Sequence, residues 1–147
     1  MRIAVALAAL SGLLQVLTFP RFSVYYLAAV CVTPLLLALV RVEDGPSSRK
    51  RRFLLGWLAG VIYWGGTCYW IYDVMHDYSG VVAPAAFAIY VAFSLAKGLH
   101  LGVFALLAGP LLRRNWALPA LAALWVAIEG SHQYLGFTWL HLGNASA

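Results

Sequence analysis

The side chains able to do chemistry are few, and most of them fall inside or beside long apolar runs. Cys31 and Cys68 both lie within such runs. A thiol can carry an acyl group, but in apolar surroundings it is a poor nucleophile, so inert packing is expected of both. Neither stands near histidine at metal-ligand spacing, and the four histidines are scattered. No metal site and no cofactor are expected. The sequence has no Walker-type phosphate loop and no GxSxG elbow. Lys97 is the most expensive residue, because a central charge costs about 2.5–3.5 kcal/mol on membrane-insertion scales. His100 lies one turn on and shares its helix face. Two readings follow. Lys97 reaches an interface or pairs with a polar neighbour, or Lys97 and His100 form a functional polar site inside a bundle. The sequence does not identify a partner for Lys97. A further cluster runs Trp70-Ile71-Tyr72-Asp73-Val74-Met75-His76-Asp77-Tyr78-Ser79-Gly80, and Glu129 to Trp139 forms a second. Trp and Tyr anchor helices at membrane interfaces. Acids, histidine and aromatics at one depth also suit a site the size of a lipid headgroup.

The elements that position these groups follow from composition. Of 147 residues, 63% are hydrophobic and only 10% are charged, with mean hydropathy +0.83. Soluble domains carry about 25% charged residues, and a soluble globule of this size has too much surface to hide so many apolar groups. Disorder and a disulfide scaffold are excluded by the same composition and by two cysteines. The fold expected is an all-α integral membrane protein, a bundle of about five transmembrane helices. The spans fall at about 3–19, 22–40, 53–72, 83–112 and 116–134, each near the 20 residues a bilayer requires. Residues 131–147 are too polar for a clean span. The first run ends in Thr18-Phe19-Pro20 with no small-x-small cleavage site, so an uncleaved span is expected.

Eight of the ten basic residues flank these runs: Arg2, Arg41, Arg49-Lys50-Arg51-Arg52 and Arg113-Arg114. Positive residues in this position are topology signals first, with a lipid-headgroup role the second reading. They form no groove with interleaved aromatics, so nucleic acid is not expected as a partner. Placing 41–52 in the cytoplasm puts the N-terminus there too. Gly56-x-x-x-Gly60 and Gly98-x-x-x-Gly102 put small residues on one helix face, suited to close helix packing or to a tight lipid groove.

Four stretches together resemble a known family. Trp70-Ile-Tyr-x-x-Met-His76-x-Tyr-Ser-Gly80 resembles the W-V-Y-x-S-I-H-x-F-G-G stretch of bacterial apolipoprotein N-acyltransferases. Phe19-Pro20-x-Phe22 with Thr33-Pro34-Leu-Leu-Leu resembles that family's first turn and second span. Ala123-Leu124-Trp125-x-x-x-Glu129 and Gly136-Phe137-Thr138-Trp139-Leu140-x-x-Gly143 resemble its A-L-W-x-x-x-E and G-F-P-W-L-x-x-G elements. Thr138 stands where the family has proline. Glu129-Gly-Ser-His132 replaces E-x-x-R, and the Glu129-to-Trp139 spacing is about two residues short.

The resemblance implies a multi-pass protein of the bacterial inner membrane. The family moves an acyl chain from phospholipid to the N-terminal amine of a diacylglyceryl apolipoprotein, through a thioester on a nitrilase-like α/β domain. No position here matches that domain's Cys, Lys or Glu, so no catalytic residue is carried over, and the catalytic domain is expected to be absent. The substrate or lipid-side candidates are Trp70, Tyr72, His76, Glu129, Phe137 and Trp139. The expected function is the membrane part of the acyltransferase, truncated or encoded separately. It would bind phospholipid and apolipoprotein, be inactive alone, and work with a separate nitrilase-like domain. The alternative is a non-catalytic membrane module that recruits lipid or a protein partner. A small transporter relaying through Lys97 and His100 is weaker, since no inverted repeat is present.

Overall fold

A computed structural model describes residues 1–19 and 21–131. The described residues are all-helical: α1 is Arg2–Thr18, α2 Thr33–Val40, α3 Ser48–Thr67, α4 Trp70–Asp73, α5 Ala83–Leu111 and α6 Ala117–Ser131. A 3₁₀ segment, Tyr25–Ala29, precedes α2, and a π-helical turn, Val74–Tyr78, continues α4.

Proline and glycine set several of these boundaries. Pro34 and Pro84 stand in the first turns of α2 and α5, where a missing N–H costs nothing. Pro34 also explains why 22–40 does not fold as one helix. It has no N–H for the carbonyl four residues earlier, so the chain restarts there after the 3₁₀ segment. The third run also differs from the expected 53–72. α3 begins at Ser48, because Arg49 to Arg52 are good helix formers. It stops at Thr67, just after Gly65-Gly66, where helix propensity is poor. Gly80 closes the π turn at φ +69°, a conformation glycine adopts without penalty.

α3 and α5 form the central antiparallel pair. A methyl group at Gly60 would stand 2.7 Å from the Gly98 carbonyl oxygen, and Gly56 lies tighter still against Leu101 and Ala105. Both small-residue faces therefore meet in one interface. α1 packs on α3 in parallel, with Gly12 against Ala59 and Val16 against Gly66. α6 packs on α5 through the edge-to-face pair Trp125–Phe104, centroids 5.1 Å apart.

Two clusters fill the interior. One is aliphatic, built around Leu35, Leu39, Leu55, Phe104 and Ala108. The other is aromatic, built on Phe19, Tyr63, Trp64, Cys68 and Ile71. The buried set also holds Ser11, Gln15, Thr18, Ser94 and Lys97, while Leu118 and Val126 are 82% and 68% exposed. Several polar groups thus face inward, and many large apolar ones face outward. Among the described residues, one helix, α5 with 29 residues, is long and apolar enough to cross a membrane by length and composition. α1, 25–40 and α6 are apolar but shorter.

Candidate functional site

The polar interior starts on α1. Ser11, Gln15 and Thr18 are spaced four and three apart, which places them on one helix face. All three are buried. The Ser11 hydroxyl donates to the Cys31 carbonyl at 2.7 Å, tying α1 to the chain just before α2. Gln15 Nε2 donates to the Ser11 carbonyl at 3.3 Å, and the Thr18 hydroxyl to the Gln15 carbonyl at 2.7 Å. Satisfied in this way, polar side chains are tolerated in an apolar interior.

Lys97 supplies the charge in this interior. It is 6% exposed, and its Nζ lies 5.0 Å from the centre of the Trp64 ring. A cation over an indole face gains electrostatic stabilisation that grows as water is excluded. Trp64 is itself framed by Tyr63 at 5.2 Å and Phe93 at 5.9 Å, and Phe19 lies 5.7 Å from Tyr63. The Tyr90 hydroxyl donates to the Gly65 carbonyl at 2.6 Å, and Ser94 to the Tyr90 carbonyl at 3.0 Å. Lys97 is thus paired with an aromatic ring from α3, a partner the sequence did not reveal. His100 shares its face as expected, but its Nδ1–H turns back to the Lys97 carbonyl at 3.2 Å. Cys31 and Cys68 are free thiols and fully buried.

The aromatic cluster leads to the Trp70–Gly80 segment. Trp70 packs on the cluster. Tyr72 and His76 stack one turn apart, ring centroids 5.6 Å and planes 35° from each other. His76 Nδ1 bonds the Val81 carbonyl at 2.9 Å, so that nitrogen carries the proton. In the neutral ring, Nε2 is then an acceptor. The Ser79 hydroxyl donates to the Val74 carbonyl at 3.1 Å and braces the π turn. Glu129 lies half-buried in the last turn of α6, within electrostatic reach of Tyr63 and Cys31. The structure therefore brings Trp70 and Lys97 to one aromatic cluster and pairs Tyr72 with His76. Phe137 and Trp139 lie outside the described residues, as does the end of the 116–134 run.

Between α3 and α5 a groove of about 310 Å³ opens on the flank of the bundle, lined by Gly65, Gly66, Tyr90 and Ser94 among others. The two glycines make the room, and the hydroxyls sit at its polar edge. No three His, Cys, Asp or Glu side chains stand together to hold a metal ion among the described residues. The arrangement combines an apolar groove, an aromatic cluster and a few oriented polar groups. Sequence reasoning missed the α1 stripe, although the spacing of Ser11, Gln15 and Thr18 carried the signal. It also missed the role of Trp64, which depends on the register of α3 against α5.

Residues 11–147 match the apolipoprotein N-acyltransferase N-terminal domain. The chain is 35% identical over 144 residues to an apolipoprotein N-acyltransferase of Azotobacter vinelandii. It is 32% identical over 157 residues to one from Bordetella bronchiseptica, and 30% over 152 residues to one from Geobacter metallireducens. These alignments cover 93%, 95% and 93% of this chain, but 27%, 28% and 26% of the relatives. The chain thus spans about a quarter of the length of the relatives it matches.

Proposed function

We propose a function from one premise: the chain belongs to the apolipoprotein N-acyltransferase family, and residues 11–147 are its N-terminal domain. It acts as the membrane part of a phospholipid:apolipoprotein N-acyltransferase in bacterial lipoprotein maturation. It crosses the inner membrane five times with its N-terminus in the cytoplasm. At the opposite end, Trp70, Tyr72, His76 and Glu129 receive phospholipid and the diacylglyceryl apolipoprotein, and the same role is proposed for Phe137 and Trp139, which lie outside the described residues. A nitrilase-like domain, on the same polypeptide or another, supplies the acyl-thioester chemistry.

The match over residues 11–147 carries this reading. The outward exposure of many large apolar side chains, with several polar ones buried between the helices, supports the membrane setting. The basic residues support the orientation. Met1, Arg41 and Arg51 line one cavity, and Arg49, Arg52, Arg113 and Arg114 line another, so they gather at one end. The flank groove beside Tyr90 and Ser94 suits an acyl chain, because it is apolar along its length and hydroxylated at one side.

The test is N-acylation of a diacylglyceryl-cysteine peptide in proteoliposomes containing the full chain. No product is expected from the chain alone. Product is expected when a relative's nitrilase-like domain is added, and Trp139→Ala should lower it. Activity of the chain alone would remove the dependence on that domain. If Trp139→Ala weakened lipid or partner binding and left all acylation unchanged, the recruiting-module reading would replace this one.

A further inference from the structure

At the end opposite the aromatic cluster, α3 begins and α5 ends around a cavity of about 850 Å³. Arg49, Arg52, Arg113 and Arg114 line it, against one carboxylate, Asp44. Arg52 Nη2 donates to Asp44 Oδ1 at 2.6 Å, and Arg113 donates to Oδ2. A single carboxylate shared by two guanidiniums leaves the cavity strongly positive. Arg52 is 4% exposed, and its buried Nε–H has no acceptor among the described residues. The N-terminus of α3 opens here with no side chain capping it, and Ser48 lies on the wall. The N-terminus of a 20-residue helix adds backbone donors and a partial positive charge. The remaining wall is apolar, formed by Leu106, Leu107 and Pro110 on α5.

A phosphate matches these groups: arginine forks, a hydroxyl and helix N–H donors all recognise its oxygens. The adjoining leucines need an occupant that is also apolar. We propose that this cavity binds the phosphate of an anionic phospholipid from the cytoplasmic leaflet, with an acyl chain lying along Leu106, Leu107 and Pro110. Basic pockets between helix ends on the cytoplasmic side are suited to such headgroups. The site lies at the end opposite the substrate residues and holds lipid as a structural ligand, not as acyl donor. The inference rests on the membrane-spanning reading above.

The experiment uses the full chain in neutral detergent and in nanodiscs, with phosphatidylglycerol and phosphatidylcholine as probes. Lipid retention is read by native mass spectrometry. Preferential retention of phosphatidylglycerol is expected, weakening as salt rises. Arg49→Gln with Arg114→Gln should weaken it about 25-fold, near fivefold per arginine. This variant keeps both Asp44 pairs, and its helix content by circular dichroism should be unchanged. Arg2→Gln, at the same end but outside the cavity, should leave retention as it was. Millimolar inorganic phosphate should not displace the lipid. Equal retention of both lipids, indifference to the double substitution, or full displacement by phosphate would overturn the site. A chain released from membranes by alkaline carbonate would instead overturn the membrane-spanning reading on which the site depends.

Discussion

At the scale of single residues, Lys97 is where the cost of burial and the means of meeting it are both visible. An ammonium in an apolar interior is unfavourable unless something answers its charge. The Trp64 face, 5.0 Å away, does so at least in part. The two side chains should therefore be coupled. Trp64→Ala should destabilise the fold by about 3–5 kcal/mol, as for other large aromatic deletions. In a Lys97→Met background the same change should cost about 2 kcal/mol less, the value of a desolvated cation–π contact. Chemical unfolding of the four proteins in a double-mutant cycle gives the coupling, and additivity within about 0.5 kcal/mol would show that the ring does not hold the charge. The expense of Lys97 was legible in the sequence, because one charge in a long apolar run stands out. Its partner was not, since Trp64 reaches it only through the packing of α3 on α5. His76 was legible as a candidate by its company of Tyr72 and Asp77, but its bond to the Val81 carbonyl was not, because the π turn that makes it has no sequence period of its own.

At the scale of elements, the α3–α5 interface depends on glycine for its closeness. A methyl at Gly60 would meet the Gly98 carbonyl at 2.7 Å and its Cα at 2.8 Å, both of them backbone atoms that cannot swing away. Gly60→Ala should then push the helices apart and cost about 1–3 kcal/mol, the usual penalty of overpacking. Gly130 is the internal control. It lies in α6, where an added methyl would meet nothing within 4 Å among the described residues, so Gly130→Ala should stabilise by about 0.5–1 kcal/mol through helix propensity alone. Thermal unfolding in detergent ranks the two, and a harmless Gly60→Ala would mean that the helices are not in contact there. This packing was readable from two GxxxG spacings, because both put small residues on one face. Helix ends were less readable. Hydropathy marks where a chain is apolar, not where its hydrogen bonds stop, so the basic turn that opens α3 was assigned to a loop. The break before Pro34 was hidden inside a run that is apolar on both sides of it.

At the scale of the whole molecule, the directions of the helices and the distribution of charge bear on one another. α1 and α3 run parallel, and α5 runs antiparallel to α3. The starts of α1 and α3 and the end of α5 therefore lie together, and those are the points where arginine and lysine collect. Nothing in helix packing requires this coincidence, whereas the positive-inside rule does. Position 47, before α3, and position 78, at the end of the π turn, should thus lie on opposite sides of the membrane. Cys31 and Cys68 are 0% exposed, so a label will ignore them while the fold is intact. Tyr78 is 85% exposed, so replacing it removes little packing. Tyr78→Cys should react with a membrane-impermeant maleimide on intact bacterial cells stripped of their outer membrane. Ser47→Cys should react only after the inner membrane is opened. Labelling of both from one side would leave residues 48–78 without a crossing, and the cavity of arginines would then lie on the same face as Tyr72 and His76.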